Sequence, residues 1–260
     1  MKFSTLDYDV SENIAQITLN RAPVNAINMA LIDELLAAYA KAREDKSVRA
    51  VILTSAFENS FSAGMDLKMI ASKTGLDLHR FLEKLYFDMH NAQHRLGKPT
   101  IAAMTGPARE AGITLAVSCD MVIASERTDF AYTAINVGIL PAMHIVHLPR
   151  LAGRHKAFEW LFTGRVFDAA QAEEMGLVNR VVPQDEVLSL AWDYAREFAS
   201  KSPVVMQLAR DAFMRANDHD YRRSLEHVVD TISLIYSTPD GQEGIRAFAE
   251  KRDPKWSDHW

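Results

Sequence analysis

The sequence predicts an α/β protein in which a large domain of alternating strands and helices is followed by a helical region. Three observations lead to this prediction. Residues 50–54 form an unbroken apolar run between two helical patterns, as expected for a strand buried on both faces of a parallel or mixed sheet. Residues 61–68 and 99–112 each contain a turn of small residues that leads into a helix start. From about Asp185 onward, the apolar spacing is helical throughout.

The N-terminal half alternates strand and helix patterns. Residues 14–19 alternate well enough to form a half-buried strand, and Asn28 is suited to cap a helix whose apolar residues share one face. After the strand at 50–54, a second amphipathic helix is predicted, and Gly97 followed by Pro99 ends it. The apolar residues that define this second helix are Leu78, Phe81, Leu82, Leu85 and Met89.

The middle of the chain continues the alternation, and the C-terminal part departs from it. A short helix is predicted over 111–118, a strand over 121–124, a strand and loop over 130–144, and a last short strand over 178–182. Between these, Gly153, Gly164 and Gly176 bracket two helices, the second capped by Asp168. We therefore divide the chain into a core, residues 1–195, and a helical region, residues 196–260. The apolar faces of that region need cover from the core or from a neighbour.

Composition narrows the class of protein. A chain of 260 residues with 48% hydrophobic and 24% charged residues is ordinary for a globular protein. Its net charge of −5, and the lack of a Lys/Arg run, argue against nucleic-acid and polybasic membrane contacts. No stretch approaches the ~20 apolar residues that span a bilayer, and residues 1–9 lack the apolar segment of a secretory signal. We expect a cytoplasmic protein without nucleic-acid or membrane partners.

Neither cysteine nor histidine indicates a metal or disulfide. Cys119 is the only cysteine, so no internal disulfide can form, and its small apolar side chain is expected to be buried. His90 and His94 are one helical turn apart, but no third ligand is evident. We therefore assign no metal.

The two turns at 61–68 and 99–112 suggest a common chemical use. A turn that opens into a helix leaves backbone N–H groups free, and the local dipole there is positive. Such fixed donors can stabilise a developing oxyanion without reorganising during the reaction. Two turns of this kind can supply two donors.

These paired turns, followed by Cys-Asp-Met-Val-Ile-Ala at 119–124, resemble the crotonase (enoyl-CoA hydratase/isomerase) superfamily. The similarity covers nearly the whole chain, from residues 20–28 through 161–164 and 176–183 to 243–252. It implies a spiral of ββα units and a C-terminal helical region that packs against adjacent subunits in a homotrimer or hexamer. It also implies an acyl-CoA thioester as substrate, with coenzyme A as part of that substrate and no separate cofactor.

The resemblance assigns roles to two groups of residues. The backbone N–H groups of Met65 and Ala111 would hold the thioester oxygen. The segment that would contact coenzyme A consists of Ala63, Asp66, Leu67 and Lys68. Two simpler interpretations stay open: Lys68 as a solvated helix lysine, and Asp66 as a capping carboxylate.

The chain departs from the superfamily at the two glutamates that its hydratases use for acid–base catalysis. Thr114 and Ala134 occupy the matching positions, and neither side chain can move a proton near neutral pH.

Three nearby side chains, Glu110, His144 and Thr133, could substitute for the missing glutamates, and the first two have alternative interpretations. Glu110 stands where relatives usually carry glycine, although a surface pair with Arg109 and a pKa lowered by the helix N-terminus would remove it from catalysis. His144 falls in the loop after 138–141, which in relatives approaches the acyl group, although a structural hydrogen bond would also explain it. Thr133 resembles a threonine of the decarboxylase branch.

Two functional hypotheses follow. In the first, the protein stabilises a thioester enolate and is an isomerase or decarboxylase rather than a hydratase, because decarboxylation needs no base and isomerisation needs only one. In the second, it is a non-catalytic acyl-CoA-binding subunit or scaffold with a degenerate active site.

Overall fold

The computed structural model describes residues 3–70, 74–218 and 221–256, and it confirms the predicted α/β architecture. The strands in these residues are β1 (Leu6–Ser11), β2 (Ile14–Leu19), β3 (Ala50–Ser55), β4 (Thr100–Met104), β5 (Ala108–Arg109), β6 (Met121–Ser125), β7 (Asp129–Ala131), β8 (Val166–Asp168) and β9 (Arg180–Val182).

The α-helices in the same residues are α1 (Met29–Glu44), α2 (Leu67–Ile70), α3 (Gly75–Glu83), α4 (Met89–His94), α5 (Ala111–Val117), α6 (His144–Ala152), α7 (Arg154–Thr163), α8 (Ala169–Glu174), α9 (Val187–Ala199), α10 (Pro203–Asp218), α11 (Tyr221–Tyr236) and α12 (Pro239–Glu250). A π-helical turn, Lys84–Asp88, joins α3 to α4, and a 3-10 turn, Thr133–Val137, follows β7.

The strands form two sheets. The larger has the order β1-β2-β3-β4-β6-β9, in which only the β1/β2 pair is antiparallel. The smaller has the order β5-β7-β8. Because β2, β3, β4 and β6 run parallel, their carboxyl ends lie at one edge of the sheet, where ligand sites of α/β folds usually form.

The larger sheet separates two cores, which explains the unbroken apolar run in β3. Val51 and Leu53 face the main core, while Ala50 and Ile52 face a smaller core covered by α9. Residues of a strand alternate between faces, so a strand covered on both sides needs apolar residues at every position. The prediction of a doubly buried strand is confirmed.

Helix starts agree with the predicted caps. The Asn28 side chain accepts from the N–H of Leu31, and the Asp168 side chain accepts from the N–H of Gln171. One helix was not predicted: α6 begins at His144, which the sequence places in a loop. The segment from 144 to 152 is only nine residues long and contains Pro149, a residue that usually ends or breaks a helix.

The helices after β9 confirm the helical C-terminal region and add to the core of their own chain. The position between residues 195 and 196 lies inside α9, which covers the sheet. Helix α11 packs on α3 and α6, and α12 packs on the 3-10 turn. Ile232 and Ile245 therefore belong to the main core.

In the described part of the chain, no helix has the length and hydropathy needed to cross a membrane.

Candidate active site

The two predicted turns lie directly against each other. Ser62 and Ala108 pair as a short parallel bridge, and the N–H of Arg109 donates to the oxygen of Ser62 at 3.0 Å. A Cβ atom on Gly112 would lie 2.5 Å from that same oxygen, and one on Gly64 would lie 2.7 Å from the oxygen of Arg109. Gly64 also has a φ of +83°, which favours glycine. These two glycines allow the turns to approach within hydrogen-bonding distance.

This contact brings together the two predicted oxyanion donors. Met65 follows Gly64 and pairs with Ile27 in a short parallel bridge. The hydrogen bonds of this bridge run from the N–H of Ile27 to the oxygen of Gly64 and from the N–H of Asp66 to the oxygen of Ile27, so the N–H of Met65 takes no part in them. Ala111 is the first residue of α5. Among the described residues, neither the Met65 N–H nor the Ala111 N–H donates a hydrogen bond. Both residues line one cavity, so both donors are available at its wall.

The cavity has a volume of about 580 Å³, within the range of small-molecule sites. Much of its lining is apolar, with side chains from α3, the π-helical turn, the 3-10 turn and the residues after it, and the C-terminal helices. These apolar lining residues are Leu82, Tyr86, Val137, Ile139, Leu140, Ala142, Ile232 and Phe248.

Glu110 lies in the cavity wall, and its carboxyl is buried there. One carboxyl oxygen accepts from the N–H of Ala134 at 2.5 Å, and burial raises the pKa of Glu110 to about 8. The surface ion pair with Arg109 is not formed, because Arg109 pairs with Asp129 at 2.6 Å. Burial outweighs the two effects that lower the pKa of Glu110, which are the Ala134 hydrogen bond and the nearby charge of Arg109. The carboxyl thus lies beside Ala134, a position where the superfamily's hydratases carry a glutamate.

His144 lies behind this wall and is not among the described residues that line the cavity. Its side chain is buried, and Nε2 lies 3.0 Å from the oxygen of Glu110 and 3.2 Å from Oγ1 of Thr114. Burial lowers the pKa of His144 to about 3, so the ring is neutral near pH 7. Its position therefore favours the structural hydrogen bond over proton transfer to a ligand.

The four residues assigned to coenzyme A by resemblance all line the same cavity: Ala63, Asp66, Leu67 and Lys68. The Asp66 carboxylate binds Arg21 at 2.9 Å. Lys68 is exposed and has no ion pair among the residues that the structure describes. Lys68 therefore places a cation at the cavity wall, although the net charge of the chain is negative.

Cys119 and the histidine pair lie away from this cavity. Cys119 is a free, buried thiol whose pKa burial raises to about 12, as expected for an inert core cysteine. His90 and His94 line a separate cavity, with ring centroids 6.0 Å apart. Within residues 3–70, 74–218 and 221–256, no group of three side chains suited to a metal was found.

Sequence reasoning did not identify Arg21, Tyr86, Ile232 or Phe248 as residues of the site. Arg21 lies in the segment 20–28 that carries the family resemblance, which was the available signal. Ile232 was predicted only as a member of an apolar helix face, and Phe248 only as part of the segment 243–252 that carries the family resemblance. No local pattern shows which cavity such a face will close, since that depends on tertiary packing.

The fold and the paired turns define a class of protein, and comparison with known proteins identifies it. The chain belongs to the enoyl-CoA hydratase/isomerase family, whose model matches residues 9–259. A probable enoyl-CoA hydratase of Rhizobium meliloti is 36% identical, with 97% of each chain covered. Another, from Mycobacterium bovis, is 33% identical, with 99% of each chain covered.

Solved structures agree with this assignment. The crystal structure of an enoyl-CoA hydratase/isomerase from Xanthobacter autotrophicus superposes with a TM-score of 0.86 at 29% identity, covering 97% of this chain and 98% of that one. An enoyl-CoA hydratase from Bacillus anthracis gives a TM-score of 0.77 at 32% identity, covering 98% and 100%. The predicted crotonase-like fold is confirmed.

Proposed function

We propose that this protein acts on an acyl-CoA thioester through an enolate held by the N–H groups of Met65 and Ala111, with Glu110 as the proton-transferring side chain. The observation that carries this proposal is that the buried carboxyl of Glu110 and the two unengaged donors belong to the wall of one cavity. An enolate oxygen needs preorganised donors, and losing one typically costs ~2.7–4 kcal/mol of transition-state stabilisation.

A single carboxyl supports an isomerisation. The ionised form of Glu110 removes a proton from the α carbon of a 3-enoyl thioester, and the electron pair moves onto the thioester oxygen. The resulting carboxylic acid then returns the same proton to the γ carbon, which gives the 2-enoyl thioester. No second acid or base is required. This suits a chain in which Thr114 and Ala134 occupy the two positions that match the glutamates.

The protonated form of the same carboxyl would suit a decarboxylation. Loss of CO₂ from a malonyl-type thioester leaves the electron pair on the enolate, and protonated Glu110 delivers a proton to the α carbon. A pKa of about 8 keeps most of the carboxyl protonated at neutral pH. The pH dependence separates this reaction from isomerisation.

Hydration is a second candidate, and the names of the relatives support it. Proteins 33% to 36% identical over nearly the whole chain are named probable enoyl-CoA hydratases. Water addition needs one group to deprotonate water and a route for a proton to the α carbon. With one buried carboxyl, we expect hydration of crotonyl-CoA well below the ~10²–10³ s⁻¹ of efficient enzymes.

The test is turnover of 3-enoyl-CoA, crotonyl-CoA and methylmalonyl-CoA by the wild type, by Glu110→Gln and by Glu174→Gln. Glu174 is exposed on α8 and serves as the matched control. Glu110→Gln should lower turnover by ~10²–10⁴, the usual magnitude of acid–base assistance, with nearly unchanged affinity for a saturated acyl-CoA.

Unchanged turnover in Glu110→Gln would refute the role of Glu110. Binding of a saturated acyl-CoA without turnover of any of the three substrates would instead support a non-catalytic acyl-CoA-binding protein. Crotonyl-CoA hydration at an efficient enzyme's rate would make hydration the reaction.

We also propose that coenzyme A lies along Ala63, Asp66, Leu67 and Lys68. These residues line the cavity, and Lys68 is exposed and supplies a positive charge for phosphate groups, whereas Arg21 is already paired with Asp66. In a complex with a CoA thioester, the thioester oxygen should lie within ~3.2 Å of the Met65 and Ala111 nitrogens.

A further inference from the structure

The backbone of Glu110 has an uncommon conformation. Its φ is +44° and its ψ is −115°, outside the regions that residues with a side chain normally occupy. Such a conformation persists only where the surroundings hold it, and it clusters at functional sites. In this protein, hydrogen bonds between Glu110 and its neighbours hold the conformation.

Glu110 is held at three points. Its N–H donates to the oxygen of Ala131 at 3.4 Å, and its carboxyl accepts from the N–H of Ala134. Its carbonyl oxygen accepts from two donors, the N–H of Thr114 at 3.1 Å and Nε2 of His144 at 3.0 Å. The bond from the Thr114 N–H is the ordinary backbone hydrogen bond of a helix. The bond from His144 comes from a side chain and is additional to the helical pattern.

The chemistry of this contact fixes the state of the ring. A carbonyl oxygen can only accept, so Nε2 of His144 carries the hydrogen and Nδ1 carries the lone pair. Nδ1 has no hydrogen-bond partner among the described residues, and the side chain is 1% exposed. The Tyr132 ring covers it at a centroid distance of 4.5 Å. The titratable groups that face the ring are Glu110, Tyr132 and His147.

We propose that His144 and Thr114 are positioning residues, which hold the main chain of Glu110 so that its carboxyl stays inside the cavity. This inference deepens the proposed function and rests on it. The Thr114 hydroxyl oxygen lies 3.2 Å from Nε2 of His144, and only 2% of Thr114 is exposed. The hydroxyl therefore holds the His144 ring in place without adding a charge beside it. A carboxylate at position 114 would place an unpaired charge against a buried neutral ring, at high desolvation cost.

The test uses His144→Leu, which removes the donor, and His144→Gln, which keeps an N–H near the position of Nε2. His155→Leu is the control, because His155 is exposed on α7. Two quantities are measured for each variant: kcat with the affinity for a saturated acyl-CoA, and the titration midpoint of the Glu110 carboxyl from infrared difference spectra. The spectrum of Glu110→Gln identifies the band. This second readout needs no turnover.

His144→Leu should lower kcat by about 10–10²-fold, as expected for a small misplacement of a catalytic group, with affinity changed less than about threefold. The Glu110 midpoint should fall from about 8 toward 4.5, because a released carboxyl gains access to water. His144→Gln should restore both quantities, and His155→Leu should match the wild type. If His144→Leu does not fold, Thr114→Val takes its place, with a smaller change in the same direction.

Wild-type kcat and midpoint in a folded His144→Leu would overturn the inference. Equal loss of kcat and ligand affinity in both His144 variants, without a change of midpoint, would also overturn it by showing a general structural role. A shifted midpoint together with full turnover in Glu110→Gln would leave the positioning role standing and refute the catalytic role of Glu110.

Discussion

At the scale of single residues, the sequence identified Glu110 but not its environment. A carboxylate beside a predicted oxyanion donor was visible from the order of residues alone. Its neighbour Arg109 appeared to be its natural partner, yet Arg109 binds Asp129, twenty residues away. The smaller sheet brings β5 and β7 together, and that pairing decides the partner of Arg109. Local sequence contains no information about it.

The pH dependence of kcat/KM follows from the raised pKa of Glu110. If the ionised carboxyl is the base of an isomerisation, kcat/KM should rise with pH through about 8 and then level off. If the protonated carboxyl is the proton donor of a decarboxylation, kcat/KM should fall over the same interval. The measurement is initial rates between pH 6 and pH 9. A flat profile through this range would contradict both roles.

Stability should depend on the same group. In the unfolded chain, Glu110 titrates near 4.5, and in the folded chain near 8. Between these values the folded state holds one proton more, so the free energy of unfolding decreases as pH rises. The stability that the protonated Glu110 carboxyl contributes to the folded state is fully present below about pH 4.5 and is lost as the pH rises through about 8.

Thermal unfolding of the wild type and Glu110→Gln can measure this effect. The Tm of the wild type should fall relative to that of Glu110→Gln between pH 5 and pH 8, because glutamine does not titrate. A difference in Tm that stays constant with pH would mean that the folded carboxyl has an ordinary pKa.

At the scale of elements, the turns were the strongest prediction, because small residues between a strand and a helix start have a direct physical meaning. What the sequence could not show is that the two turns touch. Gly112 permits this contact, since a Cβ there would meet the Ser62 oxygen at 2.5 Å and the Ser62 Cβ at 2.8 Å. The local sequence did not predict the helix that begins at His144, because the sequence of a short helix that contains proline resembles that of a loop.

Gly112→Ala should therefore damage the site through α5. The added methyl forces α5 away from Ser62 and moves the Ala111 N–H relative to the Met65 N–H. We expect a destabilisation of ~1–3 kcal/mol, the usual cost of overpacking, and a lower kcat/KM. Chemical denaturation and kinetics give these two values.

Gly75→Ala is the matched control, since Gly75 also lies in a helix and the nearest atom to its added methyl would be the Ser237 hydroxyl oxygen at 3.1 Å, with the next neighbouring atom at 3.8 Å. That variant should be close to neutral, since alanine favours a helix. Wild-type stability and activity in Gly112→Ala would show that the turns tolerate separation.

At the scale of the whole molecule, the order of strands and helices followed from periodicity, but the docking of the C-terminal helices did not. An apolar face can pack on its own chain or on a neighbour, and the sequence pattern is the same. Helices α11 and α12 pack on their own chain and contribute Ile232 and Phe248 to the cavity wall. The candidate site therefore includes residues on both sides of the predicted boundary after residue 195.

Helix α10 differs from its neighbours, and it carries the prediction about assembly. Four of its apolar side chains are about two-thirds exposed, namely Val204, Val205, Leu208 and Phe213, at 64%, 64%, 65% and 66%. Val204, Val205 and Leu208 lie within about one helical turn of each other, and an exposed apolar patch often marks an interface. We therefore expect self-association through α10, and the family resemblance implies that the assembly is a homotrimer or a multiple of three.

Multi-angle light scattering at micromolar concentration tests this expectation. Leu208→Glu should shift the mass toward the monomer, because it places a charge in the desolvated contact. Gln207→Glu adds the same charge at the neighbouring exposed position and should leave the mass unchanged. A monodisperse wild-type monomer would refute the assembly. A trimer that survives Leu208→Glu would place the contact elsewhere, and the exposed pair Phe158 and Phe162 on α7, whose rings stack at 4.3 Å, would be the next surface to test.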